Sequence, residues 1–160
     1  MPQLERLRAD HAAAVLAFEL AHRAYFAASI SDRGDDFFDH FPVRHDEALR
    51  EQESGTCVYY VLVAEDGSVL GRFNLYNVGA GSADLGYRVG QNVAGRGVAT
   101  AAVQEMCKLA AAEHGLRRLR AATSDQNVAS RKVLLKAGFV PVGPARVGGR
   151  SGTRFQREVV

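Results

Sequence analysis

Between Cys57 and Gly90 three runs of strand-like composition follow one another with only short turns between them. "CVYYVLVA" (57–64) is continuously apolar, β-branched and aromatic, the pattern of a buried strand. Asp66-Gly67 is a strong hairpin turn, because glycine accepts the positive φ that such turns require. "SVLGRFNLYNV" (68–78) returns as the partner strand, and "GAGS" turns the chain again. "ADLGYRVG" (83–90) forms a third strand with Ala83, Leu85, Tyr87 and Val89 on one face. Hairpins this closely spaced build antiparallel sheet, whereas a parallel pair needs a long crossover. The first half of the chain therefore argues against a doubly wound parallel fold.

Helical patterns flank these strands. Leu4 to Arg8 reads as a short opening strand, and Asp10 as the cap of a helix from about His11 to Phe26 with Leu16 and Leu20 on its buried side. "SISDRGDDFFDHFP" (29–42) reads as a structured loop with one helical turn, rich enough in aromatics to wall a pocket. A second helix is expected over His45 to Glu53, ended by Gly55. After "QNVAGRGVAT" (91–100) a helix runs from about Val98 to His114, with Val103, Met106 and Ala110 on one face and Gly115 as its stop. "LRRLRAAT" (116–123) is a strand, and Asp125 or Asn127 caps a helix that ends at Gly138. "FVPVG" and "TRFQREVV" make the last two strands around "GGRSG". The order β-α-α-β-β-β-α-β-α-β-β, without linker or repeat, describes an α+β, mixed-sheet domain over residues 1–160.

Composition narrows the function classes. Apolar residues at 47% and charged residues at 24% are those of a soluble globular protein. A net charge of +2, with its arginines scattered, offers no nucleic-acid surface. The acids Glu5, Asp10 and Glu19 among the first apolar residues exclude a signal peptide or membrane span, so a cytoplasmic location is expected. Cys57 and Cys107 lack CxxC spacing and a histidine cluster, so they read as core residues with no metal site.

The chemistry lies in "QNVAGRGVAT", where Gly95 and Gly97 stand one residue apart at a helix start. The first helical turn has amides without intrahelical partners and carries the positive end of the helix dipole. Glycine there lets an anion approach the backbone with no Cβ in the way. A Walker loop would need Gly-Lys-Ser/Thr, but Val98 and Ala99 follow Gly97. A dinucleotide fingerprint would need a third glycine where Thr100 stands, and a glycine directly after the strand.

"LGYRVG", "AGRGVAT", Gly115-Leu116, "NVASRKVLLKAGF" and "PVG" together resemble the GNAT N-acetyltransferases. With "LERLRADHAAAVLAFE" and "GRFNLYNV", the likeness is to the RimJ/RimL-like branch and covers nearly the whole chain. The resemblance implies a central twisted, mostly antiparallel sheet of about seven strands, a splayed parallel pair that binds coenzyme A, and about four helices. It implies acetyl-CoA as cosubstrate, no metal, and direct transfer of the acetyl group to an amine of a small molecule or a protein N-terminus, by a monomer or homodimer.

By the same resemblance, the amides of Gly95, Arg96, Gly97, Val98, Ala99 and Thr100 hold the pyrophosphate. The family's R/Q-x-x-G-x-G/A pattern is met at its small positions, but Asn92 stands at the R/Q position. Tyr87, Arg88 and Val89 offer main-chain groups to the pantetheine arm, and a bulge amide polarises the thioester oxygen. Asn127 and Ser130, three apart on one helical face, contact the coenzyme, with Ser130 protonating the departing sulfur. Asp84 is the candidate base. Arg23, Tyr25, Phe26, Asn74 and Tyr76 are candidates for the acceptor site. The rival reading is an acyl-CoA-binding module of the same fold with weak or no turnover.

Overall fold

A computed structural model describes residues 1–160. Seven strands form one sheet in the order β1-β2-β3-β4-β5-β7-β6. They are β1 (Gln3–Arg6), β2 (Val58–Val63), β3 (Val69–Gly79), β4 (Ser82–Val89), β5 (Arg118–Ser124), β6 (Val140–Val147) and β7 (Arg150–Glu158). All neighbours pair antiparallel except β4 and β5. Six helices accompany them: α1 (Ala12–Ala21), α2 (Arg23–Ala27), α3 (Asp35–Asp39), α4 (Phe41–Ser54), α5 (Val98–His114) and α6 (Val128–Lys136). Four of these are long and correspond to the helices expected.

The two faces of the sheet bury different cores. On one face α5 contributes Val103, Met106 and Ala110, all fully buried, against Phe73, Leu75, Leu119 and Phe155 of the strands. On the other, Val15, Phe18, Phe26 and Phe41 of the first helices pack on Tyr59 and Val61. The alternation expected for β4 holds for Ala83 and Leu85, while Tyr87 and Val89 are partly covered where the sheet opens.

The first helical region departs from expectation in three ways. Asp10 is no cap: it lies inside a 3-10 turn (Ala9–His11) and accepts a hydrogen bond from Arg8. That turn is closed by His11, whose Nδ1 accepts from the Arg8 amide at 2.9 Å. The long helix is broken at His22, where backbone angles of φ −110° and ψ 11° separate α1 from α2. Val15, Phe18 and Glu19 form the buried stripe of α1, and Leu20 points outward with 52% of its surface exposed. A buried glutamate where a leucine was expected is explained by the charges it meets, described below.

Gly55 and Gly115 end α4 and α5 in left-handed conformations, which glycine adopts without steric cost. Asn127 is the cap of α6, its side chain accepting from the Ser130 amide.

Candidate active site

β4 and β5 diverge. Their parallel pairing covers only Ser82–Asp84 against Arg118–Arg120. Beyond it β4 continues to Val89 bonded to β3 alone, and β5 continues to Ser124 bonded to β7 alone. Gly90 donates its amide to Leu70, so the antiparallel alternation turns the amides and carbonyls of Tyr87 and Val89 away from β3 and into the gap. An extended polar chain can lie there and hydrogen-bond as an added strand. The expected bulge in this strand is absent: the register from Gly71↔Val89 to Tyr76↔Asp84 is unbroken, and the irregularity falls between Tyr76 and Gly79.

At the mouth of the gap, six consecutive amides from Gly95 to Thr100 make no backbone hydrogen bond, and the ladder of α5 begins with Ala101 donating to Gly97. Gly95 and Gly97 have φ of +75° and +76°, and a Cβ at either would meet nothing within 4 Å. Their glycine is therefore required by backbone conformation, and the space before the amides is open. Successive amides in such a conformation, on a helix of 17 residues, make an anion-binding concavity.

Asn92 takes no part in it. Its Oδ1 and the His22 ring both crowd Gly90, where a Cβ would stand 2.6 Å from each. His22 also accepts the Gln91 amide at 3.3 Å, and burial depresses the basicity of its imidazole. The residue that breaks α1 from α2 thus anchors the loop that precedes α5.

A cleft of about 300 Å³ runs from this loop along β4, lined by Gly95, Gly97, Ala99, Thr100, Tyr87 and Val89. Tyr25 and Phe26 close one side, and Asn127, Ser130, Lys132 and Lys136 of α6 the other. The two lysines lie one helical turn apart and give the wall positive charge. Arg96 is directed elsewhere and lines a separate groove beside Met1 and Glu105. A second cleft of about 590 Å³ shares Tyr87, Arg88, Asn127 and Ser130 with the first and opens between β4, β5 and the loop after α2. Ser29 to Asp32, Thr123, Ser124, Gly148 and Arg150 complete it.

Where the clefts join, the Tyr87 hydroxyl lies 3.1 Å from Ser130 Oγ. The Tyr87 ring stacks on Phe73 with centroids 5.7 Å apart, which fixes its direction. Burial pushes the Tyr87 phenol above its ordinary pKa, with the Ser130 hydrogen bond opposing, so the phenol is protonated at neutral pH. Nothing in the sequence pairs residues 43 positions apart, so this contact became visible only with the fold.

The remaining candidates are placed as follows. Asp84 lies outside both clefts, at the paired end of β4. Its Oδ1 accepts from Arg120 at 2.7 Å and its Oδ2 from Asn77 at 2.8 Å. It ties β3, β4 and β5 together, away from the two clefts. Beside it on the same face of β4, the space over Gly86 is partly filled by the Tyr76 ring, 3.0 Å from where a Cβ would be. Asn74 and Tyr76 bond to each other at 3.0 Å and line neither cleft. Arg23 also lies outside the clefts and grips Asp32 at 3.0 and 2.8 Å and Asp35 at 2.8 Å. Hydrogen bonding from Arg23 holds the Asp32 carboxyl down at about 2, so Arg23 orders the loop that walls the second cleft. Tyr25 and Phe26 are the acceptor-side candidates that do line a cleft.

A sheet splayed at one parallel pair, with a glycine-built anion cradle at the mouth of the splay, defines a coenzyme A-dependent acyltransferase fold. The acetyltransferase (GNAT) domain family matches residues 3–140, and the chain belongs to that family. Among solved structures it is similar to the ribosomal-protein-S5-alanine acetyltransferase of Vibrio fischeri, with a TM-score of 0.89 at 20% identity over 98% of this chain and 92% of that one. RimJ of Mycobacterium smegmatis, in complex with CoA-disulfide, superposes with a TM-score of 0.85 at 25% identity over 97% of this chain and 80% of that one. Spermidine N-acetyltransferase of Vibrio cholerae, in complex with CoA and spermine, gives 0.81 at 13% identity over 98% and 95%. No curated protein matches the chain significantly in sequence. Its structural neighbours also include RimL, a ribosomal L7/L12 alpha-N-protein acetyltransferase in complex with coenzyme A, with a TM-score of 0.86 at 15% identity over 98% of this chain and 93% of that one. No helix is long and apolar enough to cross a membrane.

Proposed function

We propose that the protein transfers the acetyl group of acetyl-CoA directly to a primary amine of a small molecule or protein N-terminus, which enters through the second cleft. The observation that carries this reading is the continuity of the two clefts at Tyr87 and Ser130. One cleft begins at six unpaired amides suited to a pyrophosphate, and the other is lined by the same two hydroxyl residues and extends to Gly148 and Arg150.

The pyrophosphate of the cosubstrate takes the Gly95–Thr100 amides, and Lys132 and Lys136 add charge along the same wall. The pantetheine arm bonds to the main chain of Tyr87 and Val89 and takes the part of the second cleft between β4 and β5, leaving the end walled by Ser31, Asp32, Gly148 and Arg150 for the acceptor. This course delivers the thioester to the junction. There the amine nitrogen attacks the carbonyl carbon, the C–S bond breaks, and the sulfur leaves with a proton from the Ser130 hydroxyl, replenished by Tyr87. A thiol of pKa about 8.5 leaves without strong assistance, so this donation contributes modestly. A protein N-terminal amine with pKa near 8 is partly neutral at physiological pH. Asp84 is tied to Arg120 and Asp32 to Arg23, so the amine loses its proton to water rather than to either carboxylate. Burial raises the Cys107 thiol pKa, and Cys107 lies inside the core, which disfavours an acetyl-cysteine intermediate.

Calorimetric titration of the Gly97→Asp variant with acetyl-CoA tests the cradle. The carboxylate would face the pyrophosphate and force a non-glycine residue into a left-handed conformation, so binding should be abolished while the far-ultraviolet spectrum is kept. Unaltered affinity would overturn the assignment.

A further inference from the structure

Behind the second cleft lies a buried charge cluster that the transfer step does not use. Glu19 of α1 has 1% of its side chain exposed and receives three guanidinium groups. Arg33 reaches Oε1 at 3.0 Å, Arg72 reaches Oε2 at 2.8 Å, and Arg88 reaches Oε1 at 3.3 Å. Burial alone would raise the Glu19 carboxyl pKa, but the charges of Arg33, Arg72 and Arg88 outweigh it and hold the group ionised. Three positive charges therefore face one negative charge. Asp32 and Asp35, on the same loop as Arg33, are bonded to Arg23 instead.

Donors are also in excess. A guanidinium has five N–H groups, and each of these three makes a single hydrogen bond, to Glu19. Arg72 Nε is fully buried without an acceptor. Arg88 has the longest of the three bonds and is the member that lines both clefts. Its guanidinium is fixed over the Phe26 ring at 4.7 Å, so it is held in place before any ligand arrives. Burial first, and the charges of Arg33 and Arg72 beside it, bring its pKa down to about 10. An anion placed against Arg88 would relieve that repulsion and satisfy the spare donors, whereas a polycationic amine would add to it.

We propose that Arg88, seated on Glu19 and backed by Arg33, forms a carboxylate subsite in the acceptor cleft, so that the amine acetylated by this enzyme carries a carboxylate near it. This rests on the acetyltransferase reading and names its substrate class. Arg88 presents the fork to the cleft, Arg33 supports it from the loop after α2, and Glu19 keeps the two together against their mutual repulsion.

The test uses the full chain at saturating acetyl-CoA with acceptors matched as acid and amide: glutamate with glutamine, alanine with alaninamide, and Ala-Asp-Ala with Ala-Asn-Ala, with spermidine as the cationic control. At least one acid should exceed its amide by about tenfold or more in kcat/KM, the discrimination expected when a charged partner is left unmatched. Arg88→Gln should shrink that ratio to about threefold or less, and Arg33→Gln should do so in part. Amides or spermidine serving equally well would overturn the subsite, as would a ratio unchanged in both variants. A loss of acetyl-CoA affinity in Arg88→Gln comparable to its loss of acceptor preference would also overturn it, because the arginine would then serve the coenzyme.

A readout without turnover separates the subsite from the enzymatic reading. Malonate should raise the melting temperature of the CoA-bound protein above that in chloride of equal ionic strength, and Arg88→Gln should remove the rise. No malonate-specific rise in the wild type overturns the subsite. A rise with no thiol release from any acceptor upholds the subsite and sinks the enzymatic reading.

Discussion

The two faces of the sheet solve different problems with different parts of the chain. The face covered by α5 and α6 has a continuous apolar core of 19 buried residues, and its ligand surface is largely main chain. The opposite face, under α1 to α4, has eight buried apolar residues and places Glu19, Arg72 and Asn74 among its buried groups. A backbone cradle tolerates much change in side chains and suits a cosubstrate that stays the same across a family. A surface of buried side-chain charges depends on each partner and suits a ligand that differs from one relative to the next.

The largest expected effect breaks the charged face. Glu19→Gln leaves buried Arg72, with Arg88 and Arg33 beside it, without their counter-charge, and removing the buried partner of such a cluster costs about 3–5 kcal/mol. Urea denaturation at pH 7 should show the loss as a lower midpoint. The sign with pH follows from the depressed carboxyl of Glu19. Its stabilisation is complete above the ordinary carboxylate pKa and is lost as pH falls through the lower folded value, so wild type and Glu19→Gln should converge only in acid. A difference that is independent of pH would mean that packing, and not charge, is what Glu19 contributes.

The next effect breaks the backbone face. Gly97→Asp should weaken acetyl-CoA binding by roughly 100-fold or more, combining left-handed strain with charge repulsion. Its unfolding midpoint should move far less than that of Glu19→Gln, because nothing packs on Gly97. A smaller effect belongs to Asn127→Ala, which removes the cap of α6 and should cost about 1 kcal/mol of stability. The smallest sharpens the junction between the faces. Ser130→Ala should lower kcat about threefold with KM for acetyl-CoA nearly unchanged, and Tyr87→Phe, which keeps the stack on Phe73, should lower it less. If either variant raised KM and left kcat alone, the pair would be a binding contact only.

What could be read from sequence divides along the same line. Gly95 and Gly97 announce a cradle because the constraint is local: two residues without Cβ at the start of a helix. Asn127 and Ser130 were legible for the same reason, since helical spacing alone puts them together. The Glu19 cluster was not legible, because its partners stand 14, 53 and 69 residues away and only the β3–β4 register brings Arg72 opposite Arg88. Leu20 misled for a related reason. The buried stripe of α1 runs through Val15, Phe18 and Glu19, and Glu19 lies inward because the same distant arginines meet it there. Asp84 was the candidate base by position, yet what its carboxylate meets is Arg120, which only the short parallel pairing places beside it.

The central claim is that coenzyme and acceptor meet at Tyr87 and Ser130 from two joined clefts. It is tested most directly by following free thiol after acetyl-CoA is mixed with the enzyme, with and without an amine acceptor. The account predicts thiol release that depends on acceptor, yields one N-acetylated product per thiol, and disappears in Gly97→Asp. Tight binding of acetyl-CoA with no release in the presence of any amine would contradict it and leave an acyl-CoA-binding module.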